Sequence, residues 1–538
     1  MQNKSKLKIW LPLILAVTFA AGLSLGWFMN RPEELTPGET KLRELFAIIS
    51  EDYVDPVDLD SLIERSIPGI LANLDPHSAY ISLADKAMPD ELDGSFSGIG
   101  IQFQLFNDTV CVVEAMSGGP AEKVGIMAGD RIVSVDGKNI ASINISNEDV
   151  FKLLRGKKNT KVTLGIKRPG SPKVVNFTVK RGDIPVTSID AAYMVSPTVG
   201  YVKINKFARN TYAEFLQSMT SLTNRGARDF IIDLRGNTGG YMEPAIMMVN
   251  EFLPARCKIV STKGRHPQDN SVVISDGSGS FRNARVAVLT DENTASASEI
   301  FSGAIQDNDR GLIIGRRSFG KGLVQRPIQL KDGSEIRLTV QRYYTPSGRS
   351  IQKDYIPGRN DQYEYEIFER YRNGEMQSAD SVKFDKKLLF KTAAGRQVYG
   401  GGGIMPDIFM PNDTTAYTGY FVSAFNQGLF QKFAYEYCDL NRADLEKAKN
   451  VNELLKLLPP DNILLNAFVQ YAVTQGLPAR WYYINISQGL IVKQVKALIA
   501  RDILGIPAYY EINNSDDSNV IRALREITGG NANFPIKP

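Results

Sequence analysis

The chain has 538 residues, of which 43% are hydrophobic and 23% charged, and its formal net charge is +4. These ordinary values exclude a mostly disordered chain, a collagen-like chain and a polytopic membrane protein, and so small a positive excess gives no reason to expect a nucleic-acid partner. With two histidines, His77 and His266, a multi-histidine metal site is nearly excluded, and a Ser–His–Asp enzyme would have to use one of them. Three widely spaced cysteines without a CxxC pair argue against a disulfide framework and a cysteine zinc site.

An apolar segment without charges lies close to the amino terminus. Ile9–Met29 is a run of 21 residues preceded by three lysines. As a helix rising ~1.5 Å per residue, it is just long enough to cross a ~30 Å hydrocarbon core. We therefore predict a cytoplasmic tail over 1–8 and a single transmembrane signal anchor over 9–29, because the lysines should stay in the cytoplasm. The alternative is a cleaved signal peptide, for which Ala20-Ala21-Gly22 offers small residues.

The next block, residues 31–92, is predicted to be an amino-terminal helical segment. Apolar residues near its start recur at i, i+3, i+4 and i+7, as on one face of a helix. A turn follows at Leu74-Asp75-Pro76-His77-Ser78, where Asp and Ser side chains act as local acceptors for backbone N–H groups. The residues of the apolar face are Leu42, Leu45, Phe46 and Ile49.

Residues 93–182 are rich in glycine, β-branched residues and short alternating runs, which predict strands. This block resembles a PDZ domain in its Gly-Ile-Gly-Ile turn and in the Gly-Asp-Arg-Ile segment about 30 residues later. Glycines in such a turn let successive N–H groups point inward and hold a terminal carboxylate, after which an extended peptide pairs with the following strand edge. The residues predicted to bind the peptide carboxylate are Gly98, Ile99, Gly100 and Ile101.

Residues 183–410 alternate strands and helices, which predicts an α/β core. Residues 411–538 are predicted to form a helical module without a catalytic motif, which we interpret as a packing or oligomerisation module. Asp361–Ser381 is the most polar segment and is predicted to be a solvated loop. The strands predicted in the α/β core are Val199–Ile204, Phe230–Leu234, Arg285–Thr290 and Leu312–Gly315, with helices over Ala245–Phe252 and from about Ala297 to Gln306.

A run of small residues, Thr294–Ile300, leads from a predicted strand into a helix. Ser296 would stand at the amino end of that helix, where unpaired N–H groups and the positive end of the helix dipole favour developing negative charge. Small neighbours let a substrate carbonyl approach, and the Ala297 N–H can point at a tetrahedral oxyanion. The alternative is an ordinary capping serine.

Lys321 lies between two glycines after a buried strand. Burial disfavours the charged form of a lysine, and a neutral lysine can accept the proton of a serine. Gln325 follows four residues later and is placed to hydrogen-bond and orient the amine. A solvated surface lysine is the alternative.

A glycine-rich turn, residues 235–240, connects a predicted strand ending in Asp233-Leu234 with the next helix. Such a turn presents backbone N–H groups to an anion. It lacks the lysine and the Ser or Thr of a phosphate-binding P-loop. With Ser296 nearby, we therefore interpret this turn as the other half of an oxyanion hole.

Together these three segments resemble the carboxyl-terminal processing peptidases, or tail-specific proteases, which are serine peptidases on a crotonase-like (ClpP/crotonase) α/β fold. The family patterns D-L-R-x-N-x-G-G, S/T-A-S-A-S-E-I and F-G-K-G-x-V-Q occur at residues 233–240, 294–300 and 319–325. Lys321 follows Ser296 by 25 residues, the usual separation in the family. The resemblance covers about residues 40–410, and Thr238 stands where the family usually has proline.

The resemblance implies that Ser296 is the nucleophile, Lys321 the general base and Gln325 the residue that orients it. Some relatives implicate an aspartate 11 residues after the serine, which is Asp307 here. Neither histidine has a triad setting, and no metal or cofactor is implied. The oxyanion hole would be formed by the backbone amides of Ala297 and of Gly239 or Gly240.

The resemblance further implies a serine endopeptidase that recognises protein tails through its PDZ domain and cleaves them in the cell envelope. Its partners would be proteins or peptides with free carboxyl termini and the bacterial inner membrane, with the catalytic part in the periplasm. The helical module is a candidate contact for a homo-oligomer. Two alternatives are a catalytically silent, membrane-tethered PDZ adaptor and an oligopeptidase for free peptides. An intact Ser–Lys–Gln set argues against the adaptor, and tricorn-type oligopeptidases carry propeller domains and lack an anchor.

Overall fold

The structure is a computed structural model that describes residues 10–13, 15–22, 35–86, 92, 95–106, 108–116, 118–168, 171 and 173–529. The predicted cytoplasmic tail lies outside the described residues, and so do nine of the residues predicted as a membrane anchor, namely 9, 14 and 23–29. Among the residues that are described, no helix combines the length and the apolar character needed to cross a membrane.

The chain divides into two units, Met1–Ile70 and Leu71–Pro538. Helix α1 (Pro37–Asp52) begins after Thr36, whose hydroxyl accepts the Glu39 N–H while the Glu39 carboxylate accepts the Thr36 N–H. Helix α2 runs from Leu59 to Ala72. The helices predicted from the apolar spacing in this part of the chain are confirmed.

After the short elements β1 (Ala79–Ile81) and α3 (Leu83–Lys86), the chain forms a β-rich domain. Its elements are β2 (Ser95–Gly98), β3 (Ile101–Phe106), β4 (Thr109–Ala115), α4 (Pro120–Lys123), β5 (Arg131–Val135), β6 (Lys138–Asn139), α5 (Asn147–Leu154), β7 (Lys161–Lys167), β8 (Val174–Lys180) and β9 (Gly182–Pro185). The antiparallel sheet has the order β3-β4-β5-β7-β8, and β2 pairs with β9. Strand β3 therefore lies at one end of the described sheet, beside α5, where the rings of Phe103 and Phe151 are 5.1 Å apart.

The described part of the α/β core contains two larger sheets and one separate pair of short strands. Its elements are β10 (Ile189–Ser196), β11 (Val199–Ile204), α6 (Thr211–Asn224), β12 (Asp229–Asp233), α7 (Met242–Asn250), β13 (Lys258–Gly264), β14 (Ser271–Ile274), β15 (Val286–Thr290), α8 (Ala297–Asp307), β16 (Leu312–Gly315), β17 (Leu323–Gln329), β18 (Glu335–Tyr344), α9 (Asn360–Arg372), β19 (Leu389–Lys391), β20 (Gln397–Tyr399) and β21 (Ile408–Phe409). The first sheet has the order β10-β11-β12-β15-β16-β21 and is parallel except for β10. Its central strands are continuous apolar runs, as expected for a parallel sheet whose two faces are both covered by helices. The strands predicted from the sequence are confirmed.

This sheet brings the three sequence motifs together. Strands β12, β15 and β16 are parallel neighbours. The glycine-rich turn follows β12, Ser296 follows β15, and Lys321 follows β16. Because parallel strands end at the same edge of a sheet, the three segments converge there, which is where open α/β sheets place their ligands.

The second sheet has the order β1-β18-β13-β14, with β17 also paired to β18. Strand β17 begins two residues after Lys321. Strand β1 begins directly after the Leu74–Ser78 turn, and its Ala79 pairs with Arg337 of β18. Because β1 and β17 both pair with β18, the turn lies near the loop that bears Lys321, although more than two hundred residues separate the two in sequence.

The prediction of a solvated loop over Asp361–Ser381 is wrong, because α9 occupies most of the segment. Its Tyr363 and Arg370 are seven positions apart on one face and both are buried. The ring of Tyr363 packs edge-on against Phe319, and the Arg370 guanidinium donates to the carbonyl of Ser318 at 3.1 Å. The helix is polar in composition but buries these two side chains against the loop before Lys321.

The carboxyl-terminal block is helical, as predicted. It comprises α10 (Gly419–Asn426), α11 (Leu429–Leu445), α12 (Val451–Leu457), α13 (Asp461–Thr474), α14 (Trp481–Leu504), α15 (Ile506–Asn513) and α16 (Ser518–Thr528). Helix α11 contacts the β-rich domain, where Asp439 pairs with Arg131 at 2.5 Å. Ahead of α16, Asp517 pairs with Arg235 of the glycine-rich turn at 2.8 Å. The module therefore contacts both the β-rich domain and the edge of the first sheet of the α/β core.

Candidate active site

The glycine-rich turn is held by a buried carboxylate at the end of β12. Asp233 accepts hydrogen bonds from the Tyr201 hydroxyl at 2.7 Å and from the Arg235 guanidinium at 2.6 Å, and the Lys203 ammonium lies 3.5 Å away. Burial alone would raise the pKa of Asp233, but the positive charges of Arg235 and Lys203 outweigh it and hold this pKa well below its usual range. The carboxylate is thus ionised and fixes the start of the turn.

The turn lies directly against the segment that carries Ser296. Gly239 and Gly240 have φ values of +101° and +141°, which strongly favour glycine. A Cβ atom on Gly239 would come within 2.7 Å of the Ser296 Cβ, so no larger residue fits there. The Asn237 carbonyl accepts the Ala295 N–H at 3.0 Å. The two halves of the predicted oxyanion hole are therefore in contact.

The structure distinguishes between the two glycine amides proposed for the oxyanion hole. The Gly239 N–H donates to the Asn237 side-chain oxygen at 2.8 Å and is therefore engaged. Among the described residues, neither the Gly240 N–H nor the Ala297 N–H has a hydrogen-bond acceptor. The Gly239 amide is thus engaged by the Asn237 side chain, whereas the amides of Gly240 and Ala297 are available as donors, and the assignment of the oxyanion hole to these amides stays a prediction.

Ser296 occupies a strained position at the amino end of α8. Its φ and ψ are 56° and −117°, and a positive φ at a residue other than glycine costs roughly 1–3 kcal/mol. The Glu299 carboxylate accepts the Ser296 N–H at 2.9 Å, and the Tyr343 hydroxyl donates to the Ser296 carbonyl at 3.1 Å. These bonds hold the strained conformation, and the serine side chain stays partly exposed at the strand edge.

Glu299, for which the sequence analysis assigned no role, connects the serine to the lysine loop. Its fully buried carboxylate also accepts the N–H groups of Gly320 and Lys321, at 2.7 and 2.9 Å, and the Ser318 hydroxyl at 2.5 Å. Burial raises the pKa of Glu299 to about 7 despite these donors. The signal that would have found it is the Ser-x-x-Glu pattern of a capping box at the start of a helix, formed by Ser296 and Glu299.

Lys321 is largely shielded from solvent. Burial lowers the pKa of its amine, while the carboxylates of Glu299 and Asp75 act in the opposite direction and Arg337 again lowers it. The hydroxyl of the fully buried Tyr343 lies between the carbonyls of Lys321 and Ser296, within hydrogen-bond distance of both, so its single proton is shared between them. The predicted base thus lies in surroundings that favour a neutral amine, and its backbone shares two anchors with the backbone of Ser296.

Gln325 lies at the start of β17, and its side-chain amide donates to the Thr339 hydroxyl at 3.2 Å. The sequence analysis missed Thr339 and its acceptor Asp75, which come close to Gln325 only through the second sheet.

His77 also lies near the lysine. Burial is the larger cause and the charge of Lys321 the second, and together they lower the pKa of His77 to about 4. Its ring hydrogen-bonds to the Tyr363 hydroxyl at 2.9 Å, which is not a triad geometry.

Asp307, the alternative catalytic aspartate, has a structural environment. It is fully buried and pairs with the buried guanidinium of Arg349 at 2.8 Å. It also accepts the Ser347 N–H at 3.1 Å. Eleven residues of α-helix separate it from Ser296, roughly 16 Å along the axis. Asp307 therefore joins α8 to the loop after β18 and does not approach the serine.

The loop predicted to bind a carboxylate, Gly98–Ile101, lies between β2 and β3 in the β-rich domain. Gly100 has a φ of +77°, and the carbonyls of Ile99 and Gly100 accept backbone N–H groups at 2.8 and 2.9 Å. Within the described chain, no acceptor is recorded for the N–H groups of Ile99 and Gly100 themselves. The loop thus offers donors beside the sheet-end strand β3, as binding of a peptide terminus requires.

In the described residues no group of three or more His, Cys, Asp or Glu side chains is arranged to hold a metal ion.

Family models match three parts of the chain. Peptidase family S41 matches residues 198–358, the PDZ domain matches residues 112–168, and a family of unknown function matches residues 420–505. The S41 match contains β11, β12, β15 and β16 of the first sheet but not its outer strands β10 and β21, and the PDZ match covers most of the β-rich domain.

Similar proteins carry consistent names. The carboxy-terminal processing protease CtpB of Bacillus subtilis is 34% identical over 321 residues, which is 59% of this chain and 66% of CtpB, just under two thirds. The carboxy-terminal-processing protease of Bartonella bacilliformis is 38% identical over 57% of this chain and 71% of its own. CtpA of Bacillus subtilis is 33% identical over 66% of this chain and 76% of its own. With this identity and coverage, the chain belongs to the carboxy-terminal processing proteases, serine-type peptidases of family S41 that carry a PDZ domain.

Proposed function

We propose that this chain is a serine endopeptidase that binds the carboxyl-terminal tails of proteins or peptides through its PDZ domain and cleaves them by a Ser–Lys acyl-enzyme mechanism. The observation that carries the proposal is the shared anchoring of two backbones. Glu299 accepts the N–H groups of both Ser296 and Lys321, and the Tyr343 hydroxyl, with its single proton, lies within hydrogen-bond distance of the carbonyls of both. Two residues 25 positions apart in sequence are thus held in one frame, as a nucleophile and its base require.

The proposed reaction begins with a neutral Lys321 amine. As the Ser296 oxygen attacks the scissile carbonyl, its proton moves to the lysine nitrogen, and the N–H groups of Ala297 and Gly240 stabilise the oxyanion. The lysine then gives this proton to the departing amine, which leaves an acyl-enzyme. Water loses a proton to Lys321 and attacks the ester, and the serine recovers its proton as the new carboxyl terminus leaves.

In the same proposal, the protease core is of the crotonase-like type, and the Gly98–Ile101 loop holds the substrate carboxylate while the peptide extends along β3. We also propose that the chain is tethered in the bacterial inner membrane with its catalytic part in the periplasm. The charge-free run Ile9–Met29, preceded by three lysines, supports this location. Oligopeptidase action on free peptides and a silent adaptor role are the alternatives that the following experiment separates.

Amidation of a substrate tail is expected to lower kcat/KM by about tenfold or more, since it removes the charge that the loop amides bind. The measurement uses an unstructured fluorogenic peptide with an apolar carboxyl terminus, supplied with a free or an amidated end to the full chain. Ser296→Ala protein is the control: it should bind the free-ended peptide and cleave neither. Equal cleavage of both peptides would indicate an oligopeptidase that ignores the tail, and absence of all cleavage with intact binding would indicate an adaptor.

A further inference from the structure

A buried carboxylate from the amino-terminal turn reaches the catalytic sheet. Asp75 is 5% exposed, and one of its oxygens accepts the N–H groups of His77 and Ser78, at 2.8 and 2.9 Å. The same oxygen accepts the hydroxyl proton of Thr339 at 2.9 Å, and the second oxygen accepts the Ser78 hydroxyl at 2.6 Å. Burial acts to raise the pKa of Asp75, but these donors outweigh it and the pKa is lowered. The carboxylate is therefore ionised and can only accept hydrogen bonds at neutral pH.

The ionisation of Asp75 determines where the Thr339 proton lies. A hydroxyl has one proton, and Thr339 gives it to Asp75, so the Thr339 oxygen is left as an acceptor. Its neighbour Gln325, 3.2 Å away, must then present its amide nitrogen and not its carbonyl oxygen. An amide has two ends that look alike in shape, and its orientation is assigned from such a network. Among the residues that the structure describes, the network leaves the carbonyl oxygen of Gln325 without a hydrogen-bond donor.

We propose that Asp75 and Thr339 are positioning residues that fix the amide of Gln325 so that its carbonyl oxygen is the atom offered to the Lys321 amine. A neutral amine has two N–H groups and one lone pair. If one N–H donates a hydrogen bond to the Gln325 oxygen, the lone pair remains available to accept the proton of Ser296. A reversed amide would offer N–H groups to that lone pair and would compete with the serine. The inference deepens the proposed function and rests on Lys321 being the base.

We call the hydrogen-bond chain from Asp75 through Thr339 to Gln325 the relay. A double-mutant cycle on the full chain tests it. Thr339→Val keeps the shape of the side chain and suits a strand, but it removes the acceptor for Gln325. We expect it to lower kcat about five- to tenfold with little change in KM, the size of one lost hydrogen bond. In a Gln325→Ala background the same substitution should have no further effect, because residues that act through one another are not additive. Thr339→Ser, which restores the hydroxyl, should recover most of the rate.

A second arm uses the charge of Asp75. The charges of Glu299, Asp75 and Arg337 act on the pKa of Lys321, and the charge of Lys321 in turn lowers the pKa of the neutral His77. Of these, the Asp75 charge raises the pKa of Lys321, so Asp75→Asn should move the alkaline rise of the pH–rate profile to lower pH. An unchanged profile in this variant would contradict the placement of Asp75 beside the lysine.

The outcomes separate the relay from the reaction itself. If Thr339→Val lowers kcat by the same factor with and without Gln325, or has no effect in the wild type, the relay is wrong. Thermal unfolding of each variant identifies a loss of fold, and Thr339→Ser provides the comparison if the valine variant is unstable. If Ser296→Ala or Lys321→Ala retains cleavage, the proposed function itself fails, whatever the cycle shows.

Discussion

Lys321→Arg is expected to lower kcat/KM by at least about a thousandfold, nearly as much as Lys321→Ala, because general-base catalysis contributes on this scale. Arginine keeps the positive charge and a similar length, but its guanidinium does not lose a proton near neutral pH. If Lys321 only supplied positive charge to an oxyanion, arginine would retain substantial activity. The comparison of the two variants therefore separates a base from a fixed charge.

The pH dependence of the wild type follows from the same role. The amine is active when neutral, so kcat/KM should rise with pH through the pKa of Lys321 and then level off. Because burial lowers that pKa from 10.5, despite the nearby carboxylates of Glu299 and Asp75, the rise should occur below the range of an ordinary lysine. A rate that is flat with pH, or that falls across this range, would contradict the assignment. Circular dichroism at each pH is the control for unfolding.

Glu299→Gln is expected to lose most of its activity and to be less stable, although glutamine has nearly the same shape. One carboxylate oxygen accepts the Ser318 hydroxyl and the Gly320 N–H, and the other accepts the N–H groups of Ser296 and Lys321. If the glutamine turns its NH₂ group toward Ser296 and Lys321, two buried N–H donors lose their acceptor; if it turns it toward the other pair, the Ser318 hydroxyl can accept from it and only the Gly320 N–H loses its acceptor. At about 1–3 kcal/mol for each lost acceptor, the free energy of unfolding should fall by roughly 1–6 kcal/mol.

The loss of activity should exceed what unfolding explains. With Ser296 or Lys321 released from its anchor, kcat should fall by about a hundredfold or more in the population that remains folded.

Glu251→Gln is a matched control, since Glu251 is also buried and accepts from the Tyr212 hydroxyl at 2.7 Å and the Ser280 N–H at 2.8 Å. It should lower stability without changing kcat. Full activity of Glu299→Gln would show that this carboxylate is not needed to position the pair. Denaturant titration and steady-state kinetics measure the two effects.

Much of the catalytic sheet was predictable because its strands are continuous apolar runs and its motifs follow their ends. Local chemistry also identified the small residues around Ser296 and the glycines beside Lys321. The relay from Asp75 through Thr339 to Gln325 was not predictable from spacing, since it depends on β1 and β17 pairing with the same strand, β18. Long-range pairing of this kind leaves no periodic signal in the sequence.

Other features required packing information that composition conceals. Helix α9 is rich in charged residues, yet it buries Tyr363 and Arg370 against the loop before Lys321. The hydrogen bond from the Gly239 N–H to the Asn237 side chain, which distinguishes this amide from that of Gly240, also depends on packing in the turn. Glu299, in contrast, belongs to a short capping pattern with Ser296, and its role was within reach of sequence reasoning.

The most direct test of the Ser296–Lys321 pair is covalent labelling of the full chain with a fluorophosphonate. The Ser296 oxygen would form a bond to phosphorus as fluoride leaves, and the serine proton would pass to Lys321. Digestion and mass spectrometry locate the label, and the rate is followed in wild type and Lys321→Ala. The account predicts a label on Ser296 in the wild type and labelling slowed by about a hundredfold or more in the variant. A label on a different residue, or equal rates in the two proteins, would contradict it.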